Sequence, residues 1–570
     1  MFNNQPKGLY FLALANTGER FGYYTMLSIF LLYLQAKFGL DSSSSGKIYA
    51  IFLAVVYFMP LIGGWLADKW SFSKCVVSGM AVMLAGYALM SVPTAIRSDG
   101  SLMLLYAALF LIAAGTGLFK GNLQVMVGDL YNTPRYSGQR DAAFSLFYMA
   151  INIGSMYAPM AATAMCNMAL EGAGMSYAAS LPALCNGFLD TGSGAEALVV
   201  AATAAGMNPG ADLAVFASEY ITVLSRGYSY AFALACVSLV ISFVIYRVGR
   251  PTFRHILDKK SEVKKADAAS VEPELTPAQT RQRVTALLLV FAVVIFFWMV
   301  FNQNGAALTE FAKSCTSPEA SGWTRVGFNV WALTAVAAGV YAAFGLFQSA
   351  KRTGKIVSGS VLAVCVALTV YFYMSTPDPL TGIQPQEYQQ FNPFYVVALT
   401  PVSIAIFGWM ARRKKEPSAP RKIGYGMVLA AVAYGVMLLG SIHIVGTSGA
   451  VSPNWLISTY LLLTFAELLL SPMGISFVSK VAPPRLKGAM MGGWFAATAI
   501  GNYLVSVPME LWGRMPVWVI WLILGGLCMV SAIFIFSIMK KLEAATADEP
   551  APTPLAEAVK AEKLADNTEI

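Results

Sequence analysis

Runs of about 20 apolar residues recur along this chain, and a chain that carries many of them has few folds open to it. A lipid interior offers no partner to a backbone N–H or C=O, so each run satisfies its own hydrogen bonds as a helix. Hydrophobic residues make up 57% of the chain and charged residues 12%, which excludes a soluble globular class and gives an all-α polytopic membrane protein. The net charge of +9 would suit nucleic acid, but the basic residues sit in short loops between runs, where they set orientation in a bilayer. No nucleic-acid partner follows from them. Seven cysteines show no metal-ligand spacing, and His255 and His443 are the two histidines. No metal, cofactor or enzymatic nucleophile is expected.

Taken in order, the first run covers about Leu9 to Gln35 and lacks a cleavable leader pattern. Four more complete residues 1–165, and the fourth of these five spans carries Lys120 deep inside it. Residues 166–222 hold acids but no Lys or Arg and read as an outward-facing insertion. Cys166 and Cys185 both fall there, on the oxidising side, which predicts a disulfide between them. A sixth helix follows in 223–248, then a charged cytoplasmic linker over 249–282 and a seventh helix over 283–312. Residues 325–376 read as an extra apolar hairpin that enters and leaves from outside. Helices eight to twelve occupy 390–541, and a mobile cytoplasmic tail occupies 542–570. The basic loops alternate to give about fourteen spans with both termini in the cytoplasm. Without the hairpin this is six plus six, the pattern of two repeats with a site at their interface near the midplane.

The polar residues inside the runs fit that plan. Asn16, Glu19, Arg20, Tyr23 and Tyr24 fall on one stripe of the first helix. Lys120 with Gln124, Tyr148 with Asn152, Trp298 with Asn302, Glu467 with Ser471, and Trp494 with Thr498 are each four apart on one face. A buried ion pair or a single membrane Asn is commonly glue between helices. Charges of both signs spread over both halves are better explained by a cavity with a cationic end and an anionic end.

These stretches resemble the proton-dependent oligopeptide transporter family of the major facilitator superfamily. Asn16 to Tyr24 is similar to its E-x-x-E-R-F-x-Y-Y, Gly63 to Asp68 to the superfamily loop motif, and Phe119 to Asn122 to F-K-P-N. Phe147 to Gly154 is similar to F-Y-x-x-I-N-x-G, and Glu467 to Gly474 with Ala482 to Tyr503 resembles the block of helices ten and eleven. The resemblance implies a major facilitator fold of two six-helix bundles plus the extra helix pair. It also implies a secondary transporter for di- and tripeptides that works by alternating access, as a monomer in a bacterial inner membrane. Arg20 and Lys120 would meet the peptide carboxylate, and Glu467, Asn152 and Asn392 would hold the amino end. Tyr23, Tyr24, Tyr57, Trp298 and Trp494 would line side-chain pockets, although aromatics at helical spacing are by default packing residues.

The chain departs from the family pattern at Asn16 and Asn302, where the family has carboxylates, and at Gly121, where it has proline. An amide cannot carry a proton. Glu19 beside Arg20 and Lys120, with Glu310 farther out, is what remains for coupling, so protons, the one co-transported species in view, are expected to drive transport only weakly. Another small zwitterion or an organic anion is the alternative cargo, and a peptide receptor without turnover is a more distant reading.

Overall fold

The computed structural model describes residues 5–131, 136, 140–258, 275–349, 351–444, 446, 449–483 and 486–547. Among them the chain is helical, with three isolated bridges and no strand. The first half contains α1 (Lys7–Phe38), α2 (Ser42–Lys69), α3 (Phe72–Ser91), α4 (Asp99–Asp129), α5 (Arg140–Gly172), α6 (Leu181–Thr191), α7 (Ala195–Ala204) and α8 (Leu213–Asp258). The second half contains α9 (Pro277–Phe301), α10 (Ala307–Ser314), α11 (Val330–Gln348), α12 (Arg352–Ser375), α13 (Phe391–Arg412) and α14 (Ala419–Ser441). It is completed by α15 (Asn454–Val481), α16 (Lys487–Tyr503), α17 (Ser506–Leu511), α18 (Val517–Ser537) and α19 (Met539–Ala547).

Local chemistry sets several of these limits. Gly39 ends α1 in the left-handed region at φ 66°, which a residue without Cβ adopts at no steric cost. Asp41 then opens α2 by accepting from the Ser44 N–H at 3.2 Å, and the Ser44 hydroxyl, with the backbone N–H groups of this turn, holds its carboxyl below the usual range. Thr276 and Gln279 form a capping box ahead of α9, with Pro277 in its first turn.

Eleven helices among the described residues are long and apolar enough to cross a membrane. The expectation of about fourteen would add α1, α5 and α16. Those three supply Glu19 and Arg20, Tyr148 and Asn152, and Trp494, Thr498 and Asn502, and with them much of the polar interior, which α4, α13 and α15 complete with Lys120, Asn392 and Glu467. Large apolar side chains such as Phe110, Phe347, Val530 and Ile533 stay exposed on the outside, as a lipid-facing surface requires. In the first half α1 packs on α5 and α8, and α4 on α2 and α3. In the second, α14 packs on α15 and α18. The halves meet along α2 with α16 and along α5 with α13.

Several boundaries differ from those the sequence suggested. The insertion is shorter than 166–222, because α5 runs on to Gly172 and α8 begins at Leu213. Cys166 therefore lies inside α5, packed where its backbone meets Gly227 of α8, while Cys185 sits on α6. Both are buried free thiols, and the predicted disulfide is not formed. What anchors the insertion is Asn186, whose amide donates to the Gln35 and Ala36 carbonyls at 3.2 and 2.8 Å and so satisfies the open end of α1. The seventh helix, read as continuous, breaks at a 3-10 turn over Asn302–Gly305 between α9 and α10. α11 and α12 follow one another over residues 330–375, with most of α12 facing outward. Most of the charged linker (259–274), the tail from 548 and Arg135 lie outside the described residues, as do the side chains of Asp68 and Arg140.

Candidate functional site

The cationic end is built on α1. Glu19 and Arg20 are both buried, and the guanidinium forks onto its neighbour's carboxylate, Nε to Oε2 at 2.5 Å and Nη2 to Oε1 at 2.8 Å. Adjacent residues point about 100° apart on a helix, so this fork folds Arg20 back along α1 and lays its guanidinium carbon 5.1 Å from the Tyr23 ring centre. Lys120 of α4 stays out of that pair. Its ammonium lies 4.3 Å from the centre of the Tyr57 ring, a cation–π contact that leaves the ammonium's hydrogen-bonding capacity for another acceptor. Close packing of α5 holds α1 in place, because the Thr17 hydroxyl donates to the Ala150 carbonyl at 3.0 Å. Gly154 sits directly on the Thr17 carbonyl, where a Cβ would collide. By contrast, the space beside Gly121 is open.

The anionic end is Glu467 on α15, 8% exposed. Tyr148 of the first half donates to its Oε1 at 2.8 Å, and Asn392 of the second half donates to its Oε2 at 3.2 Å and to Thr464 at 3.0 Å. Asn152 does not reach Glu467. Its amide turns back to the Tyr148 carbonyl at 3.0 Å and so steadies the residue that does. Ser471, one turn beyond Glu467, is half-buried. Aromatic side chains flank both ends, since Tyr23 carries Arg20 and meets Tyr24 edge-on at 5.3 Å, Tyr57 carries Lys120, and Tyr148 bonds Glu467.

The aromatic walls are coherent. Tyr57 tilts against Trp298 at 6.3 Å between ring centres, and Trp494 meets Phe291 edge-on at 6.4 Å while its indole lies over Gly474. Asn302, the departure at the 3-10 turn that follows α9, bonds to Asn502 of α16, so the amide is held by a second amide. Asn16, the other departure, is buried with an unpartnered Nδ2. Glu310 is not in this space. It lies on α10 toward the far end, paired with Lys313 at 2.7 Å and accepting from Gln35 at 2.7 Å.

That far end holds residues the sequence reading missed. Gln384 bonds Asn167 at 2.6 Å, Gln386 bonds Thr163 at 2.9 Å, and Gln389 bonds Thr309 and the Ser28 carbonyl at 3.0 Å each. Together with Gln35 they fasten the two halves away from the chain termini. The signal for them was present in Gln384-Pro-Gln386-Glu-Tyr-Gln389-Gln390, a density of amides just ahead of a span. Asn502 was legible too, because it continues the spacing of Trp494 and Thr498.

A cation pair at one end and a buried carboxylate at the other can hold a molecule that carries both charges, through charge-assisted hydrogen bonds in a space with little water. The family model described as POT family matches residues 73–186 and 370–544, about half the chain. The chain is similar to dipeptide and tripeptide permease A of Edwardsiella piscicida, at 27% identity over 87% of this chain and 84% of that protein. It is likewise similar to dipeptide and tripeptide permease A of Escherichia coli (strain K12), at 26% identity over 96% of this chain and 95% of that one. Among solved structures it is similar to a peptide transporter POT in complex with sulfate, with a TM-score of 0.65, 21% identity and 96% of each chain covered. A POT family transporter in complex with 5-aminolevulinic acid gives 0.64 and 18%, covering 95% of this chain and 98% of that one. These two likenesses establish the fold.

Proposed function

The chain belongs to the POT family, and on that premise we propose that it carries di- and tripeptides across a bacterial inner membrane by alternating access. The peptide carboxylate is taken by Arg20 and Lys120, and its ammonium by Glu467. The observation that carries this reading is the pair of buried charged ends contributed by different halves, Arg20 lying on the Tyr23 ring in the first and Glu467 bonded by Tyr148 in the second. The permease names of the relatives agree with it.

With the halves fastened at the end away from the termini, the arrangement corresponds to a cleft that faces the cytoplasm, given the positive-inside orientation with both termini there. A peptide arriving at Glu467 displaces the Tyr148 hydroxyl, which links cargo to the seam. One chain supplies the whole cleft, so the monomer is taken as the working unit. Protons are the co-transported species, weakly coupled, because Asn16 and Asn302 hold no titratable group and Glu19 is already forked to Arg20.

Uptake of a labelled dipeptide into proteoliposomes tests the proposal. Accumulation that unlabelled di- and tripeptides compete away supports it. Competition instead by non-peptide zwitterions or organic anions would change the cargo, and saturable binding without accumulation would make the chain a receptor.

A further inference from the structure

A second polar space lies outside the cleft, on the outer wall of the first half between α3 and α8. Its volume is about 390 Å³. Lys74 comes from the first turn of α3 and Arg247 and Arg250 from α8, and all three open into it. No acid lines the space, and among the described residues none of the three cations is paired with a carboxylate. Its floor is polar and fixed, since Ser73 and Tyr246 share a hydrogen bond of 2.8 Å. Trp70 stands at the rim, 58% exposed. Trp65 is exposed to the same degree and carries the Lys69 ammonium 3.7 Å from its ring centre.

The level of this space follows from its neighbours. Phe253, three residues beyond Arg250, packs beside Gly8 at the start of α1, so the space opens on the face of the bundle that carries the amino terminus. Exposed tryptophans beside lysines mark the boundary between hydrocarbon and water. Three cations clustered at that depth with no facing acid attract an anion to the space. A free ion would have to enter from bulk water, whereas an anionic headgroup is already at this level and its acyl chains can lie along the lipid-facing side of α3 and α8. A basic pocket between helices at a membrane interface is the arrangement that takes such headgroups.

We propose that the space between α3 and α8 is a binding site for the phosphate headgroup of an anionic phospholipid, held by Lys74, Arg247 and Arg250. Tyr246 and Ser73 supply hydroxyls to the phosphate oxygens, and Trp70 covers the glycerol region. Both helices belong to the first half, so the lipid braces one half and leaves the seam free to open.

Native mass spectrometry of the delipidated full chain with dioleoyl phosphatidylglycerol or dioleoyl phosphatidylcholine tests this. Phosphatidylglycerol adducts should survive at activation energies that strip phosphatidylcholine. Arg247→Gln with Arg250→Gln should weaken phosphatidylglycerol binding by about fivefold per charge removed. Arg247→Lys with Arg250→Lys should restore most of it. All three cations are exposed, and an unchanged thermal unfolding midpoint in phosphatidylcholine would confirm that the glutamine variant is folded. Equal retention of the two lipids, or equal phosphatidylglycerol binding by the glutamine variant, would overturn the proposal. Displacement of the lipid by millimolar inorganic phosphate would do the same, reassigning the site to a soluble anion.

Discussion

The Tyr148 hydroxyl donates to Glu467 Oε1 at 2.8 Å, from the first half of the chain to the second. One carboxylate thus accepts a bond across the seam and, on the proposed reading, would also receive a bound ammonium. Replacing Tyr148 by Phe should remove that cross-seam bond without touching the charge. Because a hydrogen bond to a charged group contributes about 1.5 to 3 kcal/mol, we expect dipeptide affinity to change by about tenfold or more while transport is retained. Binding and initial uptake rates measured together check this, and an unchanged affinity would show that Tyr148 does not compete with cargo.

Glu467→Gln keeps the shape and most of the hydrogen bonding but removes the charge. Competition by free-amine dipeptides should fall by roughly tenfold to a hundredfold, and competition by amino-blocked ones much less. Equal loss for both would mean that Glu467 is structural.

Asn16→Glu combined with Asn302→Glu would return titratable groups to two positions beside the cleft. Accumulation driven by an inward proton gradient should then rise relative to the parent chain, in which the gradient adds little. Strongly concentrative uptake by the parent, unaffected by Glu19→Gln, would remove both the weak-coupling reading and the role of Glu19.

Removing residues 330–375, which form α11 and α12, and joining the ends with a polar linker should leave the dipeptide dissociation constant within about threefold. The hairpin packs on α13 and α5, with the Tyr157 and Thr334 hydroxyls bonded and Trp331 edge-on to Tyr157 at 5.4 Å, and it carries none of the cleft residues. Its removal strips packing from those helices but leaves Arg20, Lys120 and Glu467 with their partners. Loss of binding in a variant with a normal unfolding midpoint would place the hairpin in the working core.

Gly154→Leu should lower the thermal unfolding midpoint measurably and weaken dipeptide binding with it. The side chain would press on the Thr17 carbonyl, and overpacking of this kind costs about 1 to 3 kcal/mol. Normal binding by this variant would mean that α1 and α5 can part without disturbing Arg20.

Much of this was legible before the structure. Apolar runs mark helices because lipid admits little else, and buried charge is conspicuous because it is costly, so Glu19, Arg20, Lys120 and Glu467 stood out. Spacing alone could not say which neighbour touches which. It offered Tyr148 and Asn152 as a pair but could not show that the tyrosine reaches Glu467 while the amide turns back on its own helix. The 3-10 break at Asn302 had a local signal in Asn302, Asn304 and Gly305, which are poor helix formers, but the apolar runs on either side outweighed it. The Cys166–Cys185 pairing failed because the compartment of a segment says nothing about where its helices end.

The fastening at the far end consists largely of glutamines, an asparagine and hydroxyls, with Glu310 and Lys313 as partners on one short helix. One exposed ion pair, Lys47 with Glu510 at 3.5 Å, also joins the halves there. Neutral amide bonds are indifferent to ionic strength, whereas an exposed ion pair is screened by salt and contributes little. Salt outside the cell should therefore loosen this seam only slightly, because most of what holds it carries no charge to screen.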